Sequence, residues 1–270
     1  MHIVTDDGGV SVTSGDSAKV ELRVEFQGYT LDKTLHIESA QHGDRIDLTA
    51  HISKSTFSLG QLRRLHVEVR VPREADLEVE TGDGAVKASG VSGAISLHTQ
   101  DGAIAAEHLT GTLDLRTGDG GITVSSLAGR VRLGTGDGVI EGRDIDGQCE
   151  AQSPDGGIRL AGRFDALTVK SGDGSVDARA LPGSKLDSPW NISTGSGSVT
   201  IALPGNLPAN LDASSGDGHV RLDLPVEVEG TLSTSKVRGK INGGGQRSIT
   251  HNFVNRVCEL QKVLARDSGS

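Results

Sequence analysis

A tripeptide recurs along this chain at a fixed interval, and the interval constrains the fold more than any other feature. Gly-Asp-Gly or a close variant has its central residue at Asp83, Asp101, Asp119, Asp137, Asp155 and Asp173, each 18 residues after the last. The series runs on at wider spacing to Ser196 and Asp217, with Pro-containing insertions at 180–191 and 203–210. A short period of this kind marks a repeat architecture in which each repeat is one supersecondary unit. Two residues before each centre stands a hydroxyl: Thr81, Thr99, Thr117, Thr135, Ser153, Ser171, Thr194 and Ser215.

Apolar residues alternate on both sides of the tripeptide. Pairs such as Val86/Ala88, Ile104/Ala106, Ile122/Val124 and Ile158/Leu160 follow it, and Ile95/Leu97, Leu113/Leu115, Val131/Leu133 and Leu167/Val169 precede the next one. Ile140 followed by Gly142 is the weakest pair. Period-two alternation predicts strands with one face turned inward, two short strands per repeat. Gly-Asp-Gly then makes one turn, with glycine expected to supply positive φ and Asp to bond its own backbone. A corner such as Leu127-Ala128-Gly129 makes the other turn. One repeat cannot bury its apolar face alone, but a stack of them can. The expected fold is all-β: a β-solenoid (parallel β-helix) of about eight coils of 18 residues or more, capped by an N-terminal β region.

Two outward columns test the register. In a stack, residue i lies beside residue i+18, about 4.8 Å away. One column reads Asp114, Arg132, Glu150 and another Glu141, Arg159, Asp177. Opposite charges alternate in both, as neighbouring strands prefer.

The six aromatic residues are Phe26, Tyr29, Phe57, Phe164, Trp190 and Phe253, so the core must come from Val, Ile, Leu and Ala. That suits a thin stacked core. The formal net charge of −9 argues against a nucleic-acid partner, whose binders carry basic stripes. No apolar run is long enough for a membrane span. Met1-His2-Ile3-Val4 reads as a strand, and no charged stretch followed by an apolar one marks a signal peptide here. Two cysteines, Cys149 and Cys258, are too few for a disulfide framework.

Stacked coils expose unpaired edges at both ends. Residues 1–72 are expected to form an N-terminal strand region and cap, with Thr5–Val12 as a degenerate coil. Residues 73–238 hold the repeat solenoid, and 239–270 a degenerate last coil and tail. In that tail Phe253, Val257, Leu260 and Leu264 fit a helical stripe while Val254–Leu260 resembles a decayed coil; the strand reading is the one adopted.

The Gly-Asp-Gly coils, the Val71-Pro72-Arg73 lead-in and the Gly239–Gly245 segment together resemble the bacterial putative-adhesin family of β-strand-repeat proteins, a domain of unknown function. The resemblance covers about residues 65–245 well. It implies a β-helical solenoid in a cell-envelope setting, with no catalytic residues to carry over, and some relatives are encoded beside envelope-stress regulators.

The acids of the repeat invite a metal reading. As a weak cation ladder the candidates are Asp83, Asp101, Asp119, Asp137, Asp155 and Asp173, yet Asp precedes the glycine here, unlike the calcium β-roll order. Turn formation is the preferred role, and no cofactor or designed metal site is expected. The hydroxyl column is read as turn hydrogen bonding, since the outward strand positions form no flat threonine face. Glycosidase chemistry needs two carboxylates in a cleft, and Asp187 beside Trp190 is the one acid–aromatic pair in the insertions. By the period Trp190 points inward as core filling. The nine scattered histidines show no ligand spacing, His98, His108 and His219 are expected to be solvated turn or strand residues, and Cys149 falls in the core column. The function expected is a non-enzymatic, adhesin-like envelope scaffold. The alternative is an envelope-stress regulatory protein docking an unidentified partner through the loops of 180–210, with a polysaccharide-active enzyme the weakest reading.

Overall fold

The structure, a computed structural model, describes residues 1–53, 63–216, 220–223, 225–229, 233, 235–253 and 258–263. Every regular element among them is a strand. The chain opens with β1 (His2–Thr5), β2 (Gly9–Gly15), β3 (Glu21–Gln27), β4 (Leu35–His42), β5 (Arg45–Ile52) and β6 (Arg64–Pro72). Then come β7 (Leu77–Thr81), β8 (Val86–Ser89), β9 (Ser92–Thr99), β10 (Ile104–Glu107) and β11 (Thr110–Thr117). Three long strands follow, β12 (Ile122–Thr135), β13 (Ile140–Ser153) and β14 (Ile158–Ser171). Next are β15 (Val176–Ala180), β16 (Trp190–Thr194), β17 (Val199–Pro204), β18 (Ala209–Ser215) and β19 (Val220–Leu222). The last are β20 (Glu227–Val228), β21 (Lys236–Ile241), β22 (Ser248–Phe253) and β23 (Cys258–Val263).

The 18-residue register holds through the body of the stack. Val86 pairs with Ile104, Ile104 with Ile122, Ile122 with Ile140, Ile140 with Ile158 and Ile158 with Val176, all in parallel ladders. These side chains are at most 1% exposed and form one continuous column. Leu97, Leu115 and Leu133 stack in the same way on the facing sheet. The two strands of a repeat stay separate in the early coils, but in β12, β13 and β14 they run on as one 14-residue strand through the corner. At Gly142, the weakest apolar pair, an added Cβ would lie 2.7 Å from Ile145 Cδ1 and 3.0 Å from Leu160 Cδ2. The slot is already filled from the neighbouring positions.

The glycines of the Gly-Asp-Gly turns act differently from the sequence expectation. Gly102, Gly120, Gly138, Gly156 and Gly174 do not take positive φ. A Cβ on Gly102, Gly120, Gly138 or Gly174 would instead lie 2.0 Å from the carbonyl oxygen of the equivalent glycine one coil back, and on Gly156 1.8 Å. They are glycines because backbone packs on backbone. Positive φ belongs to the corners, at Gly111 (126°), Gly129 (113°) and Gly147 (117°), each preceded three residues earlier by a left-handed His108, Ser126 or Asp144. The hydroxyl column completes the turns. Thr117 Oγ1 donates to Gly102 O at 2.8 Å and accepts from Gly120 N at 3.2 Å, and Thr135 and Thr194 repeat the pattern. All eight hydroxyl residues are buried. They belong to the stack's interior.

Both ends of the stack depart from chain order. β1 lies between β5 and β7, and β2 between β6 and β8, in parallel ladders on both sides. At the other end β22 lies between β16 and β18, and β23 between β17 and β19. Each terminal segment is therefore the second coil from its end, threaded between coils formed by residues further inside the chain. The outermost coils are covered by antiparallel strands: β3 on β6, β4 on β5, β21 on β18 and β20 on β21. This blunts the open edges that stacked parallel strands present. Thr5–Val12 is thus a coil, as the sequence suggested. The adopted strand reading of the C-terminal region agrees with β22 and β23; Val254, Val257 and Leu264 lie outside the described residues, as do Phe57, Asp217 and His219.

Trp190 is fully buried and meets Phe164 edge to face, with ring centroids 6.2 Å apart. Both fill the stack where the corner glycine column stops, at Asp165.

Two measurements probe this construction. Ile122→Ala should lower the unfolding free energy in urea by about 2–5 kcal/mol, the cost of truncating a fully buried aliphatic side chain. Gly120→Ala should destabilise by more than about 2 kcal/mol, because a methyl group must displace main chain. Gly134→Ala should stay within about 1 kcal/mol of the parent, since its nearest neighbour would be Arg116 Cγ at 3.6 Å. Equal effects of the two glycine substitutions would contradict the close-packing account.

Candidate functional site

Outward side chains follow the ladders as the inward ones do. Asp114, Arg132 and Glu150 stand in one column, with Arg132 Nε 3.2 Å from Glu150 Oε2 and its Nη1 3.8 Å from Asp114 Oδ2. Asp114 is held more closely by Arg116, two residues along its own strand, at 2.7 and 3.0 Å. In the second column Arg159 reaches Glu141 at 2.8 Å and is in register with Asp177. Arg163 pairs with Asp146 across the corner. These columns are neutralised along the ladder, while outward charges such as Lys87, Glu107, Arg143 and Arg179 form no ion pair among the described residues.

Asp83, Asp101, Asp119, Asp137, Asp155 and Asp173 are all exposed at the turn edge. The backbone N–H groups of Asp101, Asp119, Asp137, Asp155 and Asp173 bond one coil back, as from Asp119 to Gln100 O at 3.0 Å and from Asp173 to Pro154 O at 2.8 Å. None of the six belongs to the group of potential metal ligands that the fold brings together among the described residues. His98 lies on β9 with Nε2 3.3 Å from Ser96 Oγ, and His108 occupies a corner. Cys149 is buried, and burial pushes its thiol up to about 12, which makes it inert as a nucleophile.

The loops that interrupt the period behave otherwise: they converge. Residues of the 180–191 and 203–210 insertions meet the connection between β21 and β22 at one edge, enclosing a cleft of about 410 Å³. Ser184, Lys185, Leu186 and Asp187 line one side; Leu207, Pro208, Gly245, Gln246 and Arg247 line the other. Backbone bonds fix this shape. Lys185 N donates to Phe164 O (2.8 Å), Asp187 N to Asp165 O (2.9 Å) and Asn210 N to Arg247 O (3.2 Å). Ser184 Oγ accepts from Phe164 N (3.1 Å) and donates to Leu181 O (2.7 Å). Asn210 Nδ2 donates to Gly245 O and Asn242 Nδ2 to Leu207 O, at 2.7 and 2.9 Å. Lys185, Asp187 and Arg247 form no ion pair among the described residues, so both cations remain available to a ligand. The two Pro-containing insertions signalled this edge in the sequence. The third contributor carries no such signal, because its position follows from the threading of β22.

A second groove, about 450 Å³, lies near the N-terminal end and includes His2, Arg45, Asp76, Glu78 and Asp114. Two of its acids are committed: Asp76 Oδ1 accepts from Ala94 N at 2.8 Å and Asp114 is bound by Arg116.

A stacked β-solenoid with charge-alternating columns on its faces and a loop-built edge defines a repeat scaffold. The family described as Toastrack DUF4097 matches residues 1–252, and the chain belongs to it. Two solved structures are similar. One is a putative adhesin from Bacteroides fragilis, with 13% identity, a TM-score of 0.39, and 97% of this chain and 91% of that one covered. The other is a putative cell adhesion protein from Clostridium sporogenes, with 12% identity, a TM-score of 0.21 and the same coverage. No curated protein matches the chain. No helix among the described residues is long and apolar enough to cross a membrane.

Reversing the central charge of the first column tests whether these neighbours interact. Arg132→Glu should destabilise the protein by about 0.5–2 kcal/mol in urea melts, by losing two attractions and gaining two repulsions. The loss should shrink at high salt. Asp114→Arg combined with Arg132→Glu should recover part of it, because residues in contact do not add independently.

Proposed function

We propose that this protein is a non-enzymatic, adhesin-like binding scaffold of the bacterial cell envelope that engages its partner through the loop-built cleft at 180–210 and 245–247. The observation that carries this reading is the convergence of the period-breaking loops on one edge. A repeat that can close its stack with turns of fixed length does not need these insertions, and conserving an 18-residue period elsewhere makes the departures local. Rigid elements presenting loops are a common basis for recognition. The division of labour we propose gives residues 73–238 to the solenoid and 1–72 and 239–270 to the end pieces. The alternative, an envelope-stress regulatory protein docking a partner through the loops of 180–210, differs in the partner and shares the cleft. The non-enzymatic reading is supported by the cleft's chemistry: its single acid, Asp187, falls short of the carboxylate pair that glycosidase chemistry requires.

Retention of the purified chain on an isolated bacterial envelope fraction tests the proposal. Lys185→Ala combined with Arg247→Ala should weaken retention about tenfold or more, roughly 1.4 kcal/mol. Asp137→Ala, at the opposite edge, should leave it unchanged. Retention that is insensitive to the cleft pair would move the site elsewhere. Absence of retention would remove the envelope-scaffold reading.

A further inference from the structure

We propose a second, independent site on this chain: a divalent transition-metal site formed by His2, Glu78 and Glu80. Glu78 and Glu80 are two residues apart on β7, so both carboxylates leave the same outward face. His2 stands beside Glu78 across the ladder. One potential ligand atom from each of the three lies within 4.8 Å of the others, with His2 Nε2 3.9 Å from Glu78 Oε2.

The imidazole is oriented from behind. His2 Nδ1 lies 3.4 Å from Asp47 Oδ1, and Arg45 Nε donates to the same oxygen at 2.8 Å. A carboxylate on one ring nitrogen fixes the tautomer and leaves the other nitrogen's lone pair for a metal, the arrangement that supports most ligating histidines.

Charge supplies an observation separate from this geometry. Several outward acids have guanidinium partners: Asp114 has Arg116, Glu150 has Arg132, Glu141 has Arg159 and Asp146 has Arg163, while Arg45, bonded to Asp47, lies near Glu78. Glu80 has no cationic partner among the described residues, and its ladder neighbours are Val4 and His98. Two carboxylates with oxygens within 4.8 Å of one another repel by roughly 1 kcal/mol in water. A bound dication reverses that sign. One imidazole with two carboxylates suits zinc or manganese, whereas calcium favours an all-oxygen shell. The His2 and Glu78 side chains border the N-terminal groove, leaving room for water to complete the coordination.

Calorimetric titration of the full chain with zinc chloride at pH 7 tests the assignment. One site should be seen, weakened at least tenfold by His2→Ala and by the isosteric Glu80→Gln, and severalfold by Asp47→Asn. Asp101→Asn in the turn ladder and His51→Ala in the neighbouring strand should bind as the parent does. Circular dichroism should show all variants folded, since each substituted side chain faces outward. Zinc binding unchanged by His2→Ala and Glu80→Gln, or no binding at submillimolar zinc, would overturn the site.

Discussion

The spacing between coils is that of their parallel hydrogen-bonded ladders, and at the turns this spacing brings a carbonyl oxygen against a glycine one coil later. At Gly102, Gly120, Gly138, Gly156 and Gly174 that contact leaves no volume for a side chain. With the turns drawn together so closely, the buried hydroxyl of each coil can join its own turn to the one before. The strands leaving the turns then begin in register, and every inward Val, Ile or Leu finds its equivalent one rung away. The stacking of apolar side chains contributes most of the burial, and the turn glycines leave the room that this register needs where the turns pass one another.

This explains what the sequence disclosed and what it withheld. The period, the inward columns and the charge columns are local in register and repeat many times, so each repeat corroborates the next. The role of the turn glycines was not legible. A glycine serves equally where φ must be positive and where another backbone approaches, and only coordinates distinguish the two. The threading of the ends was hidden for a different reason. Thr5–Val12 and the β22–β23 segment lack the full tripeptide, and nothing local says which coils they enter.

The candidate sites divide along the same line. The loop cleft was half readable, since proline-bearing insertions announce themselves against a strict period. Arg247 and Gln246 join it only because β22 is inserted between β16 and β18. His2 meets Glu78 for the equivalent reason at the other end: β1 sits beside β7 rather than at the outer edge. In both places, chemistry is assembled by residues far apart in the chain, and the insertion of a terminal segment brings them together.

The threading also determines how the molecule carries mechanical load. A strand at the edge of a sheet peels away one hydrogen bond at a time. A force on His2 directed along the strand instead draws β1 lengthwise between β5 and β7, so both ladders resist together in shear. The same holds for a force on Val263, which draws β23 from between β17 and β19. Neither terminal segment can leave the stack without breaking two ladders at once.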